Sequence, residues 1–227
     1  VLMLPLWAAI AYFYYQAIVT NQMSSWFWLG ISAGLAMVTK YESAILLLVL
    51  FILTIVNPKA RKNFQHPKPY FALMMMFIIL LPNLIWLYHH QFDAILYATN
   101  ELQQNKQVGF WGFISRITEP LRFLGEQLGN LAPLFLLFLP LAKKKQTPND
   151  LSKFEKDFLF FLTLGPLFMT LLFSMITQSH LVSRWSFPFF SLVGIYLIYQ
   201  FNPKIEDKTL NKFFTLIAVF NLALILG

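Results

Sequence analysis

The chain contains no cysteine, so disulfides and thiolate chemistry are excluded, while the redox compartment stays open. Charge is scarce: 12% of the residues are Asp, Glu, Lys or Arg, against about a quarter in an ordinary soluble domain. The Walker phosphate loop, the GxGxxG dinucleotide turn and the HExxH zinc helix are all missing. ATP-driven transport by this chain alone is thereby disfavoured. Few charges fall inside the apolar runs, which disfavours a proton relay or an ion-coupled transporter.

What the chain has in abundance is apolar length. It is 58% hydrophobic, with 25 Phe and a mean hydropathy of +0.60. Apolar runs recur at residues 1–20, 26–39, 43–56, 70–88, about 124–142, 158–176, 185–201 and 213–227. These predict an all-α fold: a polytopic transmembrane bundle of about eight spans, with residues 1–227 forming part of one multi-pass membrane domain. No charged leader precedes the first run, and the last residues lie in another, so an internal or C-terminal portion of a longer chain is expected. Trp26, Trp28, Trp86, Trp111 and Trp185 lie near the predicted span ends, where an interfacial aromatic belt belongs.

Between the runs lie three basic loops, 57–69, 143–157 and 202–212, which carry twelve of the 17 Lys and Arg residues. If the spans alternate across a bilayer, all three fall on one face. The positive-inside rule makes that face cytoplasmic. The pI of about 9.6 therefore points to anionic headgroups and a lipid bilayer partner, not to nucleic acid. The opposite face receives residues 89–128, in which Phe92–Gln103 and Phe110–Leu128 read as amphipathic interfacial helices, the second broken or kinked by Pro120. The short link Gln178–Arg184 shares that outer face.

Runs 26–39 and 43–56 are each too short to cross a bilayer straight, and they meet at Thr39-Lys40-Tyr41-Glu42. A continuous helix would bury Lys40 and Glu42 in lipid at a cost of several kcal/mol, so a break is expected there. Gly30 and Gly34, four apart, give the preceding helix a smooth face for close packing.

Ionisable residues near membrane depth are the first candidates for chemistry. On the outer face Lys40 could hold the phosphate of a lipid-linked substrate as a point charge, or form only an ion pair with Glu42. His90 and Asp93, three apart, could transfer a proton, weakly ligate a metal, or merely finish a helix. Arg184 could grip a phosphate or carboxylate with its planar fork, and Trp185 could stack on a sugar ring or join the aromatic belt. Glu126 and Gln127 could hydrogen-bond sugar hydroxyls, or cap the span they are expected to begin. No metal site is read from the residues; no motif calls for a cofactor, and a divalent-metal requirement stays open.

Four segments in order resemble a known family. Gly30-Ile-Ser-Ala-Gly-Leu-Ala-Met-Val-Thr-Lys-Tyr41, Pro82-Asn-Leu-Ile-Trp86 followed by His90, Phe123-Leu-Gly-Glu-Gln-Leu128 and Arg184-Trp-Ser-Phe-Pro188 are similar to elements of bacterial membrane glycosyltransferases of the GT-C fold. These are the dolichyl-phosphate-mannose-protein mannosyltransferase-like proteins, related to the aminoarabinose transferases. The resemblance implies a hexosyl or pentosyl transferase of the bacterial inner membrane that uses a polyprenyl-phosphate sugar donor on its outer face. It implies donor-phosphate contacts at Lys40 and Arg184 and substrate contacts at Tyr41, Glu42, His90, Glu126, Gln127 and Trp185. Family members carry a catalytic carboxylate in the first outer loop, after the first helix; that loop is absent here, so the catalytic residue is unknown. Glu42 stands where the family usually has a small or hydroxyl residue, and Phe92 where it often has Trp. The alternative weighed against a transferase is a lipid-linked oligosaccharide flippase or other multi-pass transporter, which should show inverted repeats and broken helices in both halves.

Overall fold

Helix α1 (Met3–Thr20) turns one face into the bundle, because its buried residues recur at helical spacing along a single stripe: Trp7, Ile10, Ala11, Tyr14, Ala17 and Ile18. The structure is a computed structural model that describes residues 2–103, 109–142, 151–203 and 207–226. Around α1 pack α2 (Met23–Thr39), α3 (Ser43–Val56) and α8 (Lys153–Thr177), which contribute Trp26 and Leu29, Leu46, Leu50 and Leu53, and Phe154, Phe158 and Leu162 to one core. Between α3 and α8 come a short helix α4 (Pro58–Arg61), α5 (Lys68–His89), α6 (Asp93–Gln103) and α7 (Gly109–Ala142). After α8 the chain forms a 3-10 helix at Ser183–Leu192, then α9 (Val193–Phe201) and α10 (Asp207–Leu226). A second, smaller core joins Phe138 and Leu141 of α7 to Val193 and Leu197 of α9.

The small-residue face works as its spacing predicts. Gly30 and Gly34 let α2 lie directly against α5: a Cβ at Gly30 would stand 2.3 Å from the Ala72 carbonyl oxygen, and one at Gly34 2.8 Å from Ile79 Cβ. On its outward side α5 exposes Leu73, Phe77, Leu81 and Leu84 in a continuous apolar stripe, a surface suited to lipid.

Polar side chains tie the helices together where apolar packing alone has no direction. The Tyr14 hydroxyl meets Thr54 Oγ1 at 2.8 Å, and Tyr15 donates to Glu155 at 2.8 Å. Asn57 turns the chain by capping α4: its Oδ1 accepts from the amides of Lys59 (3.0 Å) and Ala60 (3.3 Å), with Pro58 in the first helical position. That corner bends the chain by 92° after α3. Asn57 Nδ2 also donates to Asp157 at 2.8 Å, Lys59 stands over the Phe154 ring, and Lys68 Nζ donates to the Asn21 carbonyl at 2.5 Å. The described residues of the first two basic loops therefore gather at one end of the bundle. Residues 143–150 of the second loop and 204–206 of the third lie outside the described part.

Two expectations are corrected. About eight spans were expected; among the described residues three helices, Met3–Thr20, Lys68–His89 and Lys153–Thr177, are long and apolar enough to cross a membrane, or four if the bent pair Ser43–Val56 and Pro58–Gln65 counts as one. Helices form at each apolar run, but α2 has 17 residues, about 25 Å at 1.5 Å per residue and short of a hydrocarbon core of about 30 Å. The run at 185–201 is divided between a 3-10 helix and α9, and the described part of the run at 213–227 lies in α10, whose apolar stretch is short. Second, Pro120 does not break the outer segment: α7, 34 residues in all, runs through it. Glu126 and Gln127 are interior residues of that helix and do not cap its start.

Candidate functional site

At the end of the bundle away from the basic corner, α2 stops at Thr39 and α3 starts at Ser43, as the cost of burying Lys40 and Glu42 predicts. Ser43 is fully buried and pins the break: it donates to the Ala36 carbonyl at 3.0 Å and accepts from Trp7 Nε1 at 3.4 Å. The Trp7 ring in turn stacks on Phe189 at 5.4 Å between centroids, joining the break to the 3-10 helix.

Within the break Lys40 and Glu42 form an ion pair, with side-chain exposures of 42% and 12%. Burial pushes the Glu42 carboxyl above the ordinary range, and Lys40 only partly draws it back. Between them Tyr41 reaches across to α5, where its hydroxyl donates to Asn83 Oδ1 at 2.8 Å. Further along α5, the His90 ring stacks on Trp86 at 4.3 Å and its Nδ1–H donates to the Trp86 carbonyl at 2.8 Å. His90 and Asp93 are both exposed, and among the described residues no group of three or more His, Asp or Glu could hold a metal ion.

A second polar cluster joins α7 to the link after α8. Arg122 donates to Glu126 at 2.7 Å, to Glu119 at 2.8 Å and to the Leu181 carbonyl at 3.1 Å. His180 Nδ1 lies 3.1 Å from Glu119 and 3.3 Å from Arg122. The flanking carboxylates hold the Arg122 guanidinium still more firmly protonated than usual. These groups are well exposed, so each pair contributes only about 0–1 kcal/mol. The buried contact lies deeper. Gln127 donates to Ser183 Oγ at 3.0 Å and accepts from Ser186 Oγ at 2.5 Å, while Asn130 adds a bond to Ser183 at 2.9 Å.

The expected site residues are thus distributed unevenly. Lys40, Tyr41 and Glu42 stand together at the break, joined to α5 through Asn83. His90 lies beyond them on the end of α5. Glu126 is bound to Arg122, and Gln127 is sealed inside the protein. The backbone of Arg184 and Trp185 belongs to the 3-10 helix, and their side chains lie outside the described part. Sequence reasoning missed Asn83, which sits inside the very Pro82–Trp86 segment that carries the resemblance. It also missed the Glu119–Arg122–Glu126 set, whose i,i+3 and i,i+4 spacing was a usable signal.

Compared with known families, residues 1–86 match the dolichyl-phosphate-mannose-protein mannosyltransferase family. That stretch runs from α1 to Trp86, so it holds the broken helix, Lys40, Tyr41, Glu42 and Asn83, and it stops before α7 and the 3-10 helix. Neither the curated proteins nor the solved structures compared with the chain give a match.

Proposed function

We propose that the chain works in a membrane glycosyltransferase, moving a sugar from a polyprenyl-phosphate-linked donor to a lipid, glycan or protein acceptor at the broken-helix end of the bundle. The observation that carries this reading is the coincidence of the mannosyltransferase family match over residues 1–86 with the Lys40–Tyr41–Glu42 break and its Asn83 contact.

The chemistry suits such a place. An acceptor oxygen attacks the anomeric carbon, and the bond from that carbon to the phosphate oxygen breaks. The phosphate keeps the electron pair, and the acceptor proton goes to a base that this chain does not identify. Negative charge grows on the leaving phosphate, so a preorganised cation lowers the barrier. Lys40 supplies a point charge there, half in solvent and tethered by Glu42. Arg184 supplies a second cation from the 3-10 helix, and Trp185 an aromatic face for the sugar. Tyr41, fixed by Asn83, and His90, stacked on Trp86, border the same end of α5 and bind substrate hydroxyls.

The orientation follows from charge. The basic corner at 57–69 and 153–157 is cytoplasmic by the positive-inside rule, and the third basic loop is assigned with it. The broken-helix end then faces the periplasm of a bacterial inner membrane, with α6 and the exposed side of α7 at the lipid interface.

The test is sugar transfer by the full-length protein in proteoliposomes from radiolabelled polyprenyl-phosphate sugars. Lys40→Ala is expected to lower transfer by about 100-fold or more, the size of losing one electrostatic contact to the transition state. Activity within a few-fold of wild type in Lys40→Ala overturns the role of Lys40. No transfer from any donor, with lipid-linked sugar moving between leaflets, overturns the transferase reading in favour of a flippase.

A further inference from the structure

Gln127 is 1% exposed, and both ends of its amide are engaged within the protein. The Nε2 donates to Ser183 at 3.0 Å, and Oε1 accepts from Ser186 at 2.5 Å. Asn130, one turn further along α7, donates to Ser183 at 2.9 Å. Ser183 and Ser186 bracket two residues, Arg184 and Trp185. They also begin a 3-10 helix of 10 residues, far longer than the three or four that such a helix usually sustains. A 3-10 run of that length needs outside support, and a buried side-chain amide bonded at two points three residues apart gives it both position and rotation. An exposed amide would exchange these bonds for water at little cost; a buried one cannot.

We infer that Gln127 is a positioning residue: its amide holds the hydroxyls of Ser183 and Ser186, on either side of Arg184 and Trp185, and so fixes the turn of 3-10 helix that carries those two residues. In this reading Gln127, first expected to contact the sugar, acts through Arg184 instead. The inference rests on the proposed reading of Arg184 as a ligand of the donor phosphate. It explains why an amide serves here, since it needs one donor and one acceptor in a fixed plane, which neither a carboxylate nor an ammonium offers.

Two readouts on the full-length protein in proteoliposomes test it. Amide hydrogen exchange over residues 183–192 reports the clamp alone. Gln127→Leu and Ser183→Ala are each expected to speed exchange there on the order of ten-fold, and Ser183→Thr, which keeps the hydroxyl, to restore wild-type protection. Sugar transfer from a polyprenyl-phosphate donor reports the purpose of the clamp. Gln127→Leu is expected to raise the donor KM about ten-fold, with kcat within about two-fold, and to add nothing in an Arg184→Ala background. Unchanged exchange in both Gln127→Leu and Ser183→Ala overturns the clamp. Multiplying KM effects of Gln127→Leu and Arg184→Ala overturn the claim that Gln127 acts through Arg184. An unaltered donor KM in Arg184→Ala, beside raised exchange in Gln127→Leu, overturns the phosphate role of Arg184 and leaves the clamp standing.

Discussion

Replacing Gly30 by Ala asks how tightly α2 and α5 are held. The new Cβ would lie 2.3 Å from the Ala72 carbonyl oxygen and 2.9 Å from Met75 Cβ. The first obstacle is backbone, so no rotamer change relieves it. Restoring an ordinary approach of 3.4 Å means parting the helices by about 1 Å, and a gap of that size forfeits a quarter to a half of each contact well along the seam. Overpacking of this kind costs about 1–3 kcal/mol, and a backbone obstacle puts it at the upper end. Alanine returns about 1 kcal/mol of helix propensity. The net loss is about 2 kcal/mol, or a fall in Tm of about 4–8 °C for a chain of this size. Gly125→Ala is the matched control, because nothing lies within 4 Å of its new Cβ, and it should be neutral or slightly stabilising. The assay is thermal unfolding of the full-length variants in one detergent. A Gly30→Ala protein as stable as Gly125→Ala would refute the packing argument.

Two further outcomes follow from single side chains. The Glu42 carboxyl is raised by burial, so its neutral form is favoured in the fold, and stability should fall as pH rises from the ordinary value of 4.5 through the raised folded value. Glu42→Gln should therefore be the more stable protein at neutral pH and lose that advantage near pH 4, read from Tm measured across pH; an advantage that grows in acid would contradict the assignment. Asn57→Ala removes the cap of α4 and the partner of Asp157, a loss on the order of 2 kcal/mol. Asn57→Asp should recover only part of it in chemical denaturation, because it keeps the cap but sets two carboxylates together; full recovery would mean the Asp157 contact contributes nothing.

Local physics was legible in the sequence wherever a single helix decides the matter. The break at Lys40–Glu42 follows from the cost of charge in lipid, and the close approach at Gly30 and Gly34 from their spacing. The bend at Asn57-Pro58 shows the residue types of a helix start, though those types do not give the angle of 92°. Hydropathy could not tell a 3-10 helix from an α-helix at Ser183–Leu192, since both are equally apolar. Nor could it show α7 running on through Pro120: a proline removes one hydrogen bond, and the neighbouring turns and packing of Phe123 carry the helix across. The site contacts were less visible because they join distant segments: Tyr41 to Asn83 across 42 positions and Gln127 to Ser186 across 59. No periodicity within one helix encodes such a pair.

The buried face of α1 has a consequence for how the protein is made. Its partners arrive at very different times. α2 follows at once, and α3 soon after, but Tyr15 waits for Glu155, 140 positions later. At a synthesis rate of about 5–20 residues per second, that wait is about 7–28 s. For that interval the side of α1 destined for Phe154 and Phe158 lacks these partners, and lipid or the insertion machinery can cover it. Among the described helices α1 is thus made early and has its surroundings completed late, and a slowed or truncated α8 would leave that face open to premature degradation.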